Sequence, residues 1–403
     1  VSNRGRWGWR AAVVVAVLGA TLAHLRVARD VRAFSPHDEQ LYLDEAVALA
    51  RDGATALRAR TTEFLATPRR WLYPPPTRWG HHLAAAAAVA AWGEEFRSLV
   101  RLSTLAAVAA VVLAALLARR LGGDRAAVVA AALLGSSPLW LHLGRRALAD
   151  APQAAIGLAA TWAFLEASRP GARRWTAGVA ALLLAWHVAS KETGVVLLAV
   201  LAVVHALAAA REGEAPRGAP FGALLAGGLL AWLGFTLLAG SPWAYARVMD
   251  AVRVGGAKNE YVAAYQVGPW YAAFRDLALL APGVMLLAPA AVVWGLRRRR
   301  ARLVWGHAAV AALYVPALVV VGMLSGMGSN ARFLLLGDAL LRVVVAVAVA
   351  RWATTPTRVG VVAGGVLVNT ALEGWLFRRV FLERGVYDPV SDALLRALEL
   401  RGS

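Results

Sequence analysis

The 403-residue chain has no cysteine, which excludes disulfides, thiolate metal sites and a cysteine nucleophile. Lysine is nearly absent: of 43 basic residues only Lys191 and Lys258 are lysines, a bias that a GC-rich genome explains without chemistry. Acidic residues number 24, leaving a formal charge of +19. In a soluble protein that excess would suggest nucleic acid. Here the arginines fall in short runs between apolar segments, as the orientation of membrane helices requires, so no nucleic-acid partner is expected. No cleavable signal is expected, because the first apolar run (9–27) follows Arg4, Arg6 and Arg10 and lacks a convincing small-residue cleavage site. It reads as a retained signal-anchor helix. The chain shows no internal repeat and no soluble domain of useful size.

What the chain has is apolar length. Its composition is 59% hydrophobic with mean hydropathy +0.56, and its apolar runs repeatedly reach the roughly 20 residues that span a bilayer. After the first run, spans are expected at 97–118, 126–143, 152–168, 174–190, 194–210, 221–239, 277–296, 303–323, 333–350 and 358–375, about 11 transmembrane helices in all. The expected fold class is all-α, a polytopic integral membrane protein. Residues 1–403 read as a single transmembrane domain in which 28–96 form a long first extracytoplasmic loop with short interfacial helices, 240–276 a further outer loop and 376–403 a short C-terminal tail. The first loop is too long for an ordinary connection. It holds the amphipathic Leu41 to Ala50, the turn Tyr73-Pro74-Pro75-Pro76 and an alanine-rich stretch, His81 to Trp92, placed at the interface.

If the arginine-rich N-terminus is cytoplasmic, alternation puts Arg119/Arg120/Arg125, Arg169/Arg173/Arg174, Arg211/Arg217, the Arg297 to Arg302 cluster and Arg351/Arg358 inside. The opposite face receives Asp38-Glu39, His142 to Asp150, Ser190 to Thr193, Ser241 to Asp276 and Ser325 to Arg332. Nearly every reactive group is thus on one side. The exception to the charge rule is Arg378, Arg379 and Arg384, which alternation also places outside.

Each candidate has a plain structural reading beside the functional one. Ser35-Pro36-His37-Asp38 is an ordinary helix start, and Asp150 in Arg145-Arg146-Ala147-Leu148-Ala149-Asp150 can be an N-cap with basic neighbours. Lys191 can be a snorkelling lysine. It also stands at the outer end of a helix, where a lipid-linked phosphate needs a cation. Arg332 has the same two readings, with a guanidinium fork suited to phosphate oxygens. His81, His82 and His142 form no specific metal-ligand motif and read as interfacial or structural. Asp38, Glu39 and a histidine could hold a divalent cation or none. Most tryptophans are belt residues at span ends, whereas Trp270 and Tyr271 could line a sugar or lipid site.

Taken in order, these elements resemble the GT-C glycosyltransferases, particularly the protein O-mannosyltransferase and lipid A aminoarabinose transferase group. The matching elements are Asp38-Glu39 with Tyr42, Tyr73-Pro74-Pro75-Pro76, Arg145 to Asp150, Lys191, Gly268-Pro269-Trp270-Tyr271 and Arg332-Phe333-Leu334, covering about residues 8 to 340. The resemblance implies an enzyme of the cell envelope, in a bacterial cytoplasmic membrane, moving a hexosyl or pentosyl group from a polyprenyl-phosphate donor to a protein, lipid or glycan acceptor on the extracytoplasmic face. Carried over by position, Asp38 is the catalytic base, with Glu39 and Asp150 its acidic partners. Lys191, Arg332 and Arg146 would bind the donor phosphate, and Tyr42, Tyr73, Trp270 and Tyr271 the substrate. Two departures stand out: relatives commonly have Lys-Pro-Pro-Leu where this chain has Tyr73-Pro74-Pro75-Pro76, and no large C-terminal soluble domain follows.

Two rivals differ in class. A transporter or flippase fits the span count, but transporters usually place ionisable groups near the midplane in repeated halves. A non-catalytic relative that only binds a lipid-linked glycan would be favoured by loss of Asp38 and Glu39, and both are present.

Overall fold

Runs of alanine, leucine and valine fold as helices in a bilayer because every backbone N–H and C=O must be satisfied within the segment. The computed structural model describes residues 3–29, 38–66, 74–212, 218–256, 269–298, 301–324 and 330–400. Its helices are Asn3–Arg29 (α1), Asp38–Asp52 (α2), Ala54–Ala66 (α3), Trp79–Trp92 (α4), Phe96–Gly122 (α5), Asp124–Gly135 (α6), Pro138–Leu143 (α7), Asp150–Ala167 (α8) and Arg174–Ser190 (α9). They continue as Gly194–Glu212 (α10), Gly218–Ala239 (α11), Ala244–Gly256 (α12), Ala272–Leu280 (α13), Pro282–Arg297 (α14), Arg302–Leu324 (α15), Leu335–Trp352 (α16), Pro356–Phe377 (α17) and Ser391–Ala397 (α18). Among the described residues the only β pairing is an isolated bridge between Asn330 and Val390. Tyr73, Gly268, Ser35 to His37 and Ser325 to Ser329 lie outside the described residues.

Every expected span is helical, and the all-α, polytopic expectation holds. Among the described residues seven helices are long and apolar enough to cross a membrane, eight if a bent pair is counted as one, fewer than the 11 spans expected. That pair is α13 and α14, which meet at 117° where the sequence expects one straight span at 277–296. The span expected at 126–143 is likewise broken, at Ser136-Ser137-Pro138 between α6 and α7. Proline has no amide hydrogen to continue a helix, and the Ser137 hydroxyl caps the new start by accepting from Trp140 N at 3.4 Å. The break leaves the Leu133 carbonyl without an i+4 amide, since Ser137 N turns to the Leu134 carbonyl instead.

Arg342, fully buried in α16, fills that gap. It donates to the Leu133 carbonyl, to both Asp338 oxygens at 2.8 and 2.9 Å, and to Glu373 of α17 at 2.9 Å. Ser137 and Ser136 donate in turn to Asp338 and Glu373, each at 2.8 Å. One guanidinium thus ties the α6–α7 break to α16 and α17 in a medium where unpaired charge is costly. Elsewhere helices approach through small residues, as packing without a hydrophobic drive requires. A Cβ on Gly227 of α11 would sit 2.9 Å from the Leu184 Cβ of α9.

The ends of the helices sort the charges. Arg120 pairs with Glu166, Arg302 with Glu212, and Arg125 caps the Ala353 carbonyl, all at one end of the bundle. The other end gathers Asp38, Asp150, Lys191 and Arg332. Past α17 a π turn, Arg378–Glu383, leads the chain back to this second face, where Arg379 and Arg384 both bind Glu399 and Arg378 binds Glu383 at 2.9 Å. The exceptional arginines therefore share the face of the reactive groups, neutralised by local acids. With no native cysteine, single Asp52→Cys and Arg378→Cys variants should react with a membrane-impermeant thiol reagent from the same side of intact cells. Arg173→Cys should stay protected. Labelling of positions 378 and 173 from one side would overturn this arrangement.

Candidate active site

One face of the bundle holds an interlocked set of ion pairs, each joining distant segments. Glu39, in the first turn of α2, is fully buried: Arg146 Nε and Nη2 donate to its two oxygens at 2.7 and 2.9 Å, and Ala147 N adds a third bond at 2.9 Å. Arg146 lies over the Tyr387 ring, 3.6 Å from its centroid. Next to this pair, Lys191 at the end of α9 donates to Asp150 Oδ1. Asp150 is the first residue of α8, after Ala149 at the N-cap, and its carboxylate holds the lysine.

Arg332 stands in a 3-10 turn, Ala331–Leu334, capped by Asn330, whose Oδ1 accepts from Arg332 N at 3.0 Å. Its Nη1 reaches two carboxylates: Asp38 at 3.3 Å and Asp388 at 3.1 Å. The Phe333 ring joins the two cations, with Lys191 Nζ 4.5 Å and the Arg332 Cζ 5.4 Å from its centroid. A second layer lies behind. Arg78 pairs with Glu192 and donates to the Tyr42 hydroxyl at 2.5 Å.

Among the expected acids, exposure separates the roles. The Asp38 side chain is 37% exposed, against 6% for Asp150 and 0% for Glu39. Arg146, expected at the donor phosphate, is instead held by Glu39 inside the protein. Tyr42 is buried beside Arg78, and Trp270 and Tyr271 are exposed and contact each other. No group of three His, Asp or Glu side chains is placed to hold a metal ion among the described residues.

Sequence reasoning missed Tyr387 and Asp388. They follow the last span and are returned to the site by the bridge of Asn330 with Val390 and the bond from Ala331 N to the Pro389 carbonyl at 3.1 Å. Asn330 Nδ2 also donates to Asp388 at 3.1 Å. Burial, followed by the neighbouring Asp38 and Asp150 carboxylates, pushes the Asp388 pKa up to about 7.

Residues 74–238 match the family model for dolichyl-phosphate-mannose-protein mannosyltransferase. The structure is similar to the oligosaccharyltransferase of Archaeoglobus fulgidus in its apo form, with TM-score 0.59 and 14% identity over 93% of this chain and 58% of that one. ArnT from Cupriavidus metallidurans bound to undecaprenyl phosphate is similar with TM-score 0.60 and 16% identity, over 94% of this chain and 66% of that one. AglB from Archaeoglobus fulgidus, in complex with an inhibitory peptide and a dolichol-phosphate, gives TM-score 0.57 and 13% identity over 96% of this chain and 59% of that one. The chain thus spans less than two thirds of the archaeal structure's length. No curated protein matches it in sequence. The family match covers 74–238, less than half of the chain, and the solved structures, at 13–16% identity, share its helical fold.

Two outcomes follow from the geometry. Arg146→Met leaves the Glu39 carboxylate buried and unpaired and should cost about 3–5 kcal/mol of stability, much of it recovered in Arg146→Met/Glu39→Gln; denaturation of the purified variants measures both. Because the folded pKa of Asp388 lies above its unfolded value, its proton stabilises the fold fully below about pH 4, and that contribution is lost as pH rises through about 7. Asp388→Asn should therefore show a smaller fall in Tm between pH 4 and pH 8 than the wild type.

Proposed function

We propose that the protein transfers a sugar from a polyprenyl-phosphate donor to an acceptor hydroxyl or amine on the extracytoplasmic face of a bacterial cytoplasmic membrane. Asp38 acts as the base, and Lys191 and Arg332 receive the phosphate. The observation that carries this reading is the convergence of Lys191 and Arg332 on the single Phe333 ring, with Arg332 also touching Asp38. Two cations and the most accessible carboxylate of the cluster meet within a few side chains, at helix ends where a polyprenyl tail can stay in lipid.

The chemistry needs little more. A polyprenyl phosphate leaves with charge already on it, so catalysis requires cations that hold the departing phosphate and a base for the acceptor proton. As the bond from the anomeric carbon to the phosphate oxygen breaks, its electron pair passes to the phosphate facing Lys191 and Arg332. The acceptor oxygen or nitrogen forms the new bond and its proton passes to Asp38. One displacement inverts the anomeric centre. Asp150 keeps Lys191 in place, while Glu39 and Arg146 brace the start of α2 from inside. The lipid phosphates in the ArnT and AglB structures support the donor class, and the family model supports sugar transfer.

Asp38→Asn should abolish transfer from a synthetic polyprenyl-phosphate sugar while leaving the protein folded, because the amide is isosteric but accepts no proton. Lys191→Met and Arg332→Met should each lower kcat/KM by about tenfold to a hundredfold, charge-assisted contacts being worth about 1.5–3 kcal/mol. Wild-type turnover in a folded Asp38→Asn variant sinks the base assignment; near-normal kinetics in both methionine variants removes the phosphate site.

A further inference from the structure

His81 stands in the first turn of α4, beside the ion pairs but with no part in them. Gly80 sets its place: a Cβ there would lie 2.9 Å from the Ala189 Cβ and 3.1 Å from the Ala189 carbonyl carbon, so only glycine lets α4 come this close to the end of α9, two residues before Lys191. The His81 ring is 2% exposed and meets the Tyr42 ring edge-on at 4.8 Å. Neither of its nitrogens has a hydrogen-bond partner. Two nearby imidazoles find hydrogen-bond partners: His142 Nε2 is 2.8 Å from the Tyr387 carbonyl and His187 Nδ1 is 3.0 Å from the Gln153 carbonyl, while His82 Nδ1 lies 3.0 Å from Glu45 without a hydrogen bond.

We propose, resting on the transferase reading, that His81 binds a hydroxyl group of the sugar being transferred. Burial, with His82 and Arg78 adding to it and Asp150 opposing, pushes the His81 pKa down to about 3, so the ring is neutral and offers one N–H donor and one lone pair. A phosphate oxygen only accepts and would leave the lone pair unmet. A sugar hydroxyl both donates and accepts, so it can meet either nitrogen. The cations Lys191 and Arg332 already suit the phosphate, and Asp38 suits the acceptor proton. The remaining component of the reaction is the neutral, hydroxyl-rich sugar, and His81 is the buried neutral donor-acceptor beside them.

The test compares His81→Phe, which keeps a flat ring without polar atoms, with His81→Gln, which keeps a donor and an acceptor. With a synthetic polyprenyl-phosphate sugar, the phenylalanine variant should lose about tenfold to a hundredfold in kcat/KM, and glutamine should regain part of it. Binding of sugar-free polyprenyl phosphate should stay within about twofold of wild type in both variants. A monodeoxy donor lacking the contacted hydroxyl should be poor for the wild type and no worse for His81→Phe. Near-wild-type kcat/KM in folded His81→Phe overturns the assignment, as does an equal loss of sugar-free phosphate binding. Failure of the wild type to bind polyprenyl phosphate at all would instead remove the transferase reading on which the assignment rests. If the phenylalanine variant does not fold, glutamine decides: wild-type preference among the monodeoxy donors supports the contact, and indifference to every hydroxyl refutes it.

Discussion

Arg332 reaches carboxylates 294 and 56 residues away in sequence, Asp38 and Asp388, and the assembly of the reactive face depends on that double contact. A guanidinium at a membrane boundary cannot stay partly desolvated without acceptors. The loop after α1 and the segment after α17 must therefore both come to the start of α16. Once they do, Lys191 meets Phe333, and Tyr387 covers Arg146. The site is thus a convergence of four chain segments on a short turn, each drawn in by the need to neutralise its neighbour.

The two buried ionic clusters of this chain differ in a way that matches their places. Around Arg342 both acids are shut off from solvent, and each accepts a bond from a serine. Around Arg332 one acid is held at 3.3 Å and left 37% exposed. The same residue types serve as a rivet in one place and an approachable group in the other, and exposure decides which.

Much of the site was legible because polar residues at the ends of apolar runs stand out: Asp38, Asp150, Lys191 and Arg332 meet where alternation of spans puts them. Burial was not legible. Nothing in the order of residues distinguishes Asp38, approachable, from Glu39, sealed against Arg146, since adjacent positions on a helix point about 100° apart and only the packing of the bundle says which points inward. Asp388 was hidden for another reason. It lies after the last span in a polar tail, where an acid is ordinary, and only the pairing of Asn330 with Val390 brings it home. Asp338 and Arg342 did leave a signal, as opposite charges one turn apart within the apolar run 333–350. Their partner Glu373 lies in a different helix, and the pattern within one segment cannot name a partner in another.

The broken helix at Ser136-Ser137-Pro138 implies a dependence between positions some two hundred residues apart. Proline ends the run of amides, one carbonyl is stranded, and an arginine from α16 answers it. Either half alone is a liability in lipid. A chain that straightened this helix by losing Pro138 would return the Ser137 amide to the Leu133 carbonyl, where it would compete with Arg342 for that oxygen. Substitutions here should therefore be tolerated in pairs more readily than singly, and the kink and the charge are best regarded as one inherited unit.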